Sequence, residues 1–282
     1  MFGAMAPGLM DRAVLALTEQ LPDNPLGLRL AVLLRRAVTM RLAHPDGALD
    51  VERWGMRMRL HPRDNGCEKN LLFTPRMYEP QELGELEADI ARVRGERRPY
   101  VFVDIGANVG LFSLFVAARA GPDARILAVE PEPQNLRRLD FNIRANPGAS
   151  IKVVPAALSD ESGHVALELN RRDRGGTRTK KISEADGSPE TTRVVSHTLL
   201  DVLSGEGVTA VDALKIDVEG SEDVILDPFF RDAPPPLWPR LLITEDSRAS
   251  WKMDLLSIML AKGYKLTAVS KHKNLILRYA TE

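Results

Sequence analysis

Asp104, Gly106 and Gly110 sit in Val103-Asp-Ile-Gly-Ala-Asn-Val-Gly110, where a short apolar run breaks into a glycine-bearing loop. A loop of this kind at the carboxyl end of a strand lets backbone approach a ligand and aims free helix N–H groups at an anion. The order is Gly-x-x-x-Gly, without the Gly-x-Gly-x-x-Gly that seats a dinucleotide pyrophosphate and without the Gly-Lys-Ser/Thr end of a P-loop. An acid at 104 repels a pyrophosphate and attracts an ammonium group, so a ligand with both carboxylate and amine fits better than NAD or ATP. Glu130, followed by Pro131, ends the next apolar run 24 residues after Gly106, where a carboxylate can accept both hydroxyls of a ribose. Either acid alone could be a helix cap or a surface group. The loop, with Ala107 and Asn108 inside it, and the acid together describe a nucleoside joined to an amino acid, which is S-adenosylmethionine.

Lys215, Asp217 and Glu219 form a second candidate group in Lys215-Ile-Asp-Val-Glu-Gly220. Alternation along a strand and its exit predicts that they point the same way. Glu245 and Asp246 end a later apolar run and are expected at the same rim. Methyl transfer from a sulfonium asks mainly for alignment. An aliphatic alcohol is a poor nucleophile, so a carboxylate must take its proton or a metal must lower its pKa. Asp217 is the candidate base or metal ligand, with Glu219 and Glu245 as partners, and Mg2+ suits such oxygen ligands. The competing reading has Glu219 or Ser221 capping the following helix while Lys215 pairs with a carboxylate. Residues 171–181 hold six basic residues and one acid, either as a solvated loop or as a flap over an anionic acceptor.

The elements that must position these groups alternate from Tyr100 onward. Strands are expected at 101–105, 125–130, 151–155, 211–217 and 241–245, and helices at 111–120, 134–145 and 251–262, with a terminal hairpin of 264–269 and 275–279. Val165 to Leu169 could extend into a hairpin, and 170–190 reads as a surface loop. Ahead of this lies a different prefix: helices over 9–21 and 26–43, strand-like patterns at 49–60 and near 71–73 with turn residues 62–66 between them, and a helix over 80–94. In the second helix Leu30, Leu33, Leu34 and Ala37 recur at helical spacing while Arg29, Arg35, Arg36 and Arg41 carry the only charges. Such a face usually docks on its own domain or a second subunit, and only weakly suggests a membrane surface.

With 38 Lys+Arg against 39 Asp+Glu over 282 residues, no global charge draws the chain to nucleic acid. Cys67 is the only cysteine, which excludes an internal disulfide framework and a Cys-rich metal centre. The five histidines are scattered, and His197 reads as a helix-entry residue rather than a catalyst. No run approaches the ~20 apolar residues of a membrane span, and Met1 to Met10 lacks the pattern of a secretory signal. A reducing, cytoplasmic setting is expected.

Asp-Ile-Gly-Ala-Asn-Val-Gly, Val-Glu-Pro, Ala-Leu-Ser-Asp at 157–160 and Lys-Ile-Asp-Val-Glu-Gly at 215–220 resemble the FkbM-type methyltransferases, over residues 50 to 280. The resemblance implies a class I, Rossmann-like α/β fold with a seven-stranded sheet, one strand antiparallel, flanked by helices. It implies transfer to a hydroxyl oxygen of a sugar or other small natural product. By that similarity Asp104, Gly106, Asn108 and Gly110 would hold the methionine part, Glu130 the ribose, and Ala157, Leu158 and Asp160 would border the adenine. Residues 99–282 are expected to be the S-adenosylmethionine-binding domain. Residues 1–98 are expected as a helical and β-hairpin extension that covers the site or mediates homodimerisation. Two rivals are kept. A nicotinamide-dependent dehydrogenase lacks its third glycine and a Tyr-x-x-x-Lys pair here; a non-catalytic cofactor-binding scaffold is disfavoured by the intact Asp217 and Glu219.

Overall fold

The computed structural model describes residues 1–41, 47–170, 173–180 and 191–280. The expected His44 and Pro45, residues 171, 172 and 181 of the basic stretch, and the end of the 170–190 loop lie outside these residues. The prefix begins with α1 (Leu9–Glu19) and α2 (Pro25–Arg41), followed by β1 (Leu49–Arg53), β2 (Met56–Leu60), α3 (Gly66–Phe73) and α4 (Pro80–Gly95). The strand-like pattern over 49–60 is therefore a hairpin in itself, turning at Trp54 and Gly55, both with positive φ. The expected strand near 71–73 is instead the end of α3. Asn65, whose side chain accepts from the Glu68 N–H, caps this helix, so residues 62–66 lead into a helix rather than across a hairpin.

From Val101 the chain builds β3 (Val101–Ile105), α5 (Leu111–Ala120), β4 (Arg125–Val129), α6 (Pro133–Arg144) and β5 (Ile151–Val154). Then come β6 (Ala157–Leu158), β7 (Gly163–Glu168), β8 (Arg178–Lys180) and β9 (Thr191–His197), and after them α7 (Leu199–Gly205), β10 (Ala213–Ile216) and α8 (Glu222–Asp232). The last elements are β11 (Leu241–Glu245), α9 (Leu255–Ala261), β12 (Tyr264–Val269) and β13 (Asn274–Tyr279). The helix expected from Trp251 starts only at Leu255, where Asp254 caps it.

The main sheet has seven strands in the order β12-β13-β11-β10-β3-β4-β5. β13 alone runs antiparallel to the rest, the single reversed strand that the resemblance leads one to expect. The central strands are buried and mostly apolar because helices cover both faces, with Asp104 in β3 and Lys215 in β10 as the buried charges. One face carries α4, α5 and the prefix around Leu71, Phe73, Leu86 and Phe115; the other carries α7, α8 and α9 around Leu203, Phe229 and Leu255. Strand order reverses between β3 and β10, each leading away from this point, and a crevice at the carboxyl ends of such a pair is where open parallel sheets bind ligands. A second, four-stranded sheet of order β6-β9-β7-β8 stands beside it. It absorbs the expected 165–169 strand and part of the stretch read as loop.

Candidate active site

The β3–α5 loop is held by strained backbone. Gly106 has φ +74, and a Cβ there would lie 2.0 Å from the carbonyl oxygen of Asp217, so β3 and β10 exits touch through a position only glycine can fill. The N–H groups of Gly106 and Ala107 both donate to the Val129 carbonyl. Asn108, left-handed at φ 54, donates its N–H to Glu130 Oε2 at 2.8 Å and accepts at Oδ1 from Asn65 Nδ2 at 2.7 Å. Gly110, also left-handed, starts α5 with Leu139 against it. The loop is thus preformed by contacts from β4, α6 and the prefix.

Asp104 is fully buried. Its Oδ2 accepts from the N–H and hydroxyl of Ser113 at 3.0 and 2.6 Å, while Oδ1 has no hydrogen-bond partner. Burial raises its pKa, opposed by Lys215. Glu130 is 5% exposed, and its two oxygens accept the N–H groups of Asn108 and Glu132, both at 2.8 Å. Each oxygen keeps a lone pair for a further donor. Burial pushes its pKa up to about 8. An orphaned carboxylate oxygen at 104, a glycine cradle at 106 and a buried acid at 130 fit the amine, backbone-approach and ribose-hydroxyl needs of S-adenosylmethionine.

Gly106, Asn108, Glu130, Pro131, Asp217 and Glu219 line a cavity of about 400 Å³ from the sheet side. Asp104, Ala107 and Lys215 lie instead around a neighbouring gap with Tyr78 and Glu79. The expected alternation of 215, 217 and 219 does not hold. β10 ends at Ile216, and Glu219 takes a left-handed φ of 59, which turns it into the cavity while Lys215 stays below. Lys215 Nζ is 3.1 Å from Asp217 Oδ2 and 4.7 Å from the centre of the Phe112 ring. Burial alone would lower the pKa of this ammonium, but Asp217, Glu79 and Asp104 around it outweigh that and raise it. Burial, with Asp217 and Glu245 adding to it and Arg178 opposing, pushes Glu219 up to about 7.

Ser221 stands at the N-cap position of α8, as one of the two readings had it, but its side chain makes no capping hydrogen bond, and Glu219 is not the cap. Glu222 Oε1 accepts the N–H groups of Val218 and Gly220 at 3.1 and 3.2 Å, and Oε2 accepts from Trp251 Nε1 at 2.8 Å, which frees Glu219 of the capping role. Glu245 accepts from the Ser247 hydroxyl and Asp246 pairs with Arg248; neither lines the cavity. Ala157 and Leu158 are buried in β6, and Asp160 accepts from Ser159; none of the three reaches the cavity wall. His197 ends β9 beside Leu158. Among the described residues no group of three or more His, Cys, Asp and Glu side chains converges as metal ligands would.

Several lining residues carry no motif of their own. Cys67 and Asn70 of α3 and Asn135 of α6 face the cavity, and the buried Asn135 Oδ1 lacks a partner. Glu79, left-handed at the start of α4, is held up to about 8 by burial, Lys215 opposing. The spacing Asn65-x-x-Glu68 is a helix-start signal that would have placed α3. Residues 173–177 roof the cavity. Arg174 reaches Asp64 Oδ2 at 3.1 Å and Glu132 Oε1 at 3.0 Å, and Asp173 accepts the Gly66 N–H at 3.0 Å. This part of the basic stretch is therefore an anchored cover.

Residues 104–235 match the family model described as the methyltransferase FkbM domain. Methyltransferase sdnD of Sordaria araneosa is 32% identical, the match covering 45% of this chain and 59% of that protein. The AMB antimetabolite synthetase AmbE of Pseudomonas aeruginosa is also 32% identical, over 45% of this chain and 7% of that one. The chain thus spans less than two thirds of either relative. A solved structure of a human methyltransferase 10 domain containing protein aligns with a TM-score of 0.48 at 14% identity, covering 91% of this chain and 99% of that one.

Proposed function

With residues 104–235 identified as a methyltransferase FkbM domain, we propose that this protein moves a methyl group from S-adenosylmethionine to a hydroxyl oxygen of a small acceptor of the sugar or natural-product kind. Residues 99–282 are the methyltransferase domain in this reading, and 1–98 an extension that supplies part of its wall. The observation that carries the oxygen assignment is Glu219: a carboxylate turned into the cavity by left-handed backbone, released from capping by Glu222, and titrating near neutrality. That is the pKa range in which a general base works best at physiological pH.

When bound, S-adenosylmethionine supplies an electrophilic methyl group on a sulfonium. Asp104 would take its ammonium, Gly106, Asn108 and Gly110 shape the backbone around its amino-acid part, and Glu130 accepts from its ribose. Asp217, fixed by Lys215, sets the edge of the cavity beside Glu219. Glu219 accepts the acceptor's hydroxyl proton as the oxygen attacks. Asn70, Asn170, Thr177 and Thr179 along the wall offer hydrogen bonds suited to a polyhydroxylated acceptor. The roof of residues 173–177 limits water. The test is release of S-adenosylhomocysteine over a panel of sugars and hydroxylated small molecules, with and without Mg2+, and mass spectrometry of the product. A methyl on oxygen is expected; a methyl on nitrogen or carbon would overturn the assignment.

A further inference from the structure

The second helix carries two apolar faces and only one of them is covered. Ala31 and Val38 are buried on the inner side. Leu26, Leu30, Leu33 and Met40 fall at i, i+4, i+7 and i+14, one stripe of a helix, and are 66, 41, 62 and 80% exposed. Exposed large apolar side chains in a continuous row mark a surface that something covers. Arg29 and Arg36, one turn-pair apart along the edge of this stripe, are exposed and make no ion pair among the described residues. The whole helix, Pro25–Arg41, contains four arginines and no acid, in a chain whose total charge is nearly balanced. Leu9 and Leu17 of the preceding α1 are also exposed.

We infer that α2 is an interfacial helix that lays its leucine stripe into the surface of an anionic lipid bilayer, with Arg29 and Arg36 against the headgroups. The charge pattern selects this occupant. A second copy docked through the same stripe would set Arg29 and Arg36 against their own counterparts, with no acid on the helix to pair them. An anionic membrane supplies both an apolar layer for the leucines and phosphates for the guanidinium groups. The helix lies on the surface and does not cross it: among the described residues no helix is long and apolar enough to span a bilayer.

The test is co-sedimentation of the full chain with vesicles of phosphatidylcholine mixed with phosphatidylglycerol, beside vesicles of phosphatidylcholine alone. The wild type is expected to bind the anionic vesicles and to lose roughly tenfold in affinity at high salt. Leu30→Glu with Leu33→Glu, and separately Arg29→Glu with Arg36→Glu, are expected to abolish binding while titration with S-adenosylhomocysteine stays unchanged. The arginine pair is fully on the surface and keeps the test valid if the leucine variant folds poorly. Absence of vesicle binding, or equal binding by wild type and both variants, would overturn the proposal. So would a lipid-free dimer, seen by light scattering, that the leucine variant dissolves.

Discussion

Asn65 donates from Nδ2 to Oδ1 of Asn108 across 2.7 Å, joining the prefix to the loop that starts α5, and its own Oδ1 caps α3. One side chain therefore holds a helix start and a left-handed loop residue at once. Replacing Asn65 by Ala removes both, and should cost about 1–2 kcal/mol of stability and weaken S-adenosylhomocysteine several-fold. Asn65→Asp keeps the cap oxygen and should recover most of the stability. Thermal melts and calorimetric titration of the two variants check this.

Gly106→Ala places a methyl group on the Asp217 carbonyl at a positive φ. Backbone strain and the clash together should destabilise the fold by at least about 3 kcal/mol. Gly95→Ala, where a Cβ meets nothing within 4 Å, should change stability by less than about 0.5 kcal/mol. Chemical denaturation of both variants separates the close approach from a general intolerance of glycine replacement.

If Glu219 is the base, kcat/KM should rise with pH and level off above an inflection near 7. Glu219→Gln should lower the rate by about 10² to 10⁴ and remove the inflection. Arg178, 4.0 Å from Glu219, opposes the upward shift, so Arg178→Ala should move the inflection to higher pH. Initial rates across pH decide this, with S-adenosylhomocysteine affinity as the control for folding.

Glu79 and Glu130 are both pushed up from 4.5 to about 8 by burial. Groups whose folded pKa is raised contribute stability below their unfolded pKa and lose it as pH rises through the folded value. Their contribution should therefore be present below about pH 4.5 and gone above about 8. Glu79→Gln should flatten the decline of melting temperature in that window.

The central strands are legible in the sequence because burial on both faces leaves mostly apolar runs such as Val101-Phe-Val-Asp-Ile105, and the runs of β3, β4 and β5 stop where a Gly- or Pro-bearing exit begins. The β3–α5 loop is legible because its glycines are demanded by local backbone. The hairpin of β1 and β2 is less so, because Gly55 alone marks its turn and the bulky Trp54 beside it takes the left-handed conformation that Asn or Asp would have announced. The small sheet is hidden too: β9 runs Thr-Thr-Arg-Val-Val-Ser-His with only Ser196 buried, so burial writes little into it. Asn65 carries a local helix-start signal, but its tie to the site is a contact with a partner 43 residues away, and Cys67 and Glu79 meet the site only through tertiary contacts that nothing local marks.

Asp212, buried at the start of β10, accepts from Arg98, Arg240 and the Val101 N–H. It ties α4's exit, β3 and β11 together far from the cavity. Asp212→Ala leaves Arg98 and Arg240 with only the exposed Glu96 as anion and the Val101 N–H without its acceptor, and should cost about 1–3 kcal/mol, with S-adenosylhomocysteine affinity unchanged in the fraction that remains folded. Denaturant melts paired with titration below the transition check both halves.

Calorimetric titration with S-adenosylhomocysteine, beside NAD and ATP, tests most directly whether the crevice between β3 and β10 is a methyl-donor site. Binding of S-adenosylhomocysteine alone, lost in Glu130→Ala while the melt of that variant still shows a folded protein, is the result expected here. Binding of NAD instead, or no binding of S-adenosylhomocysteine by folded wild-type protein, would contradict it.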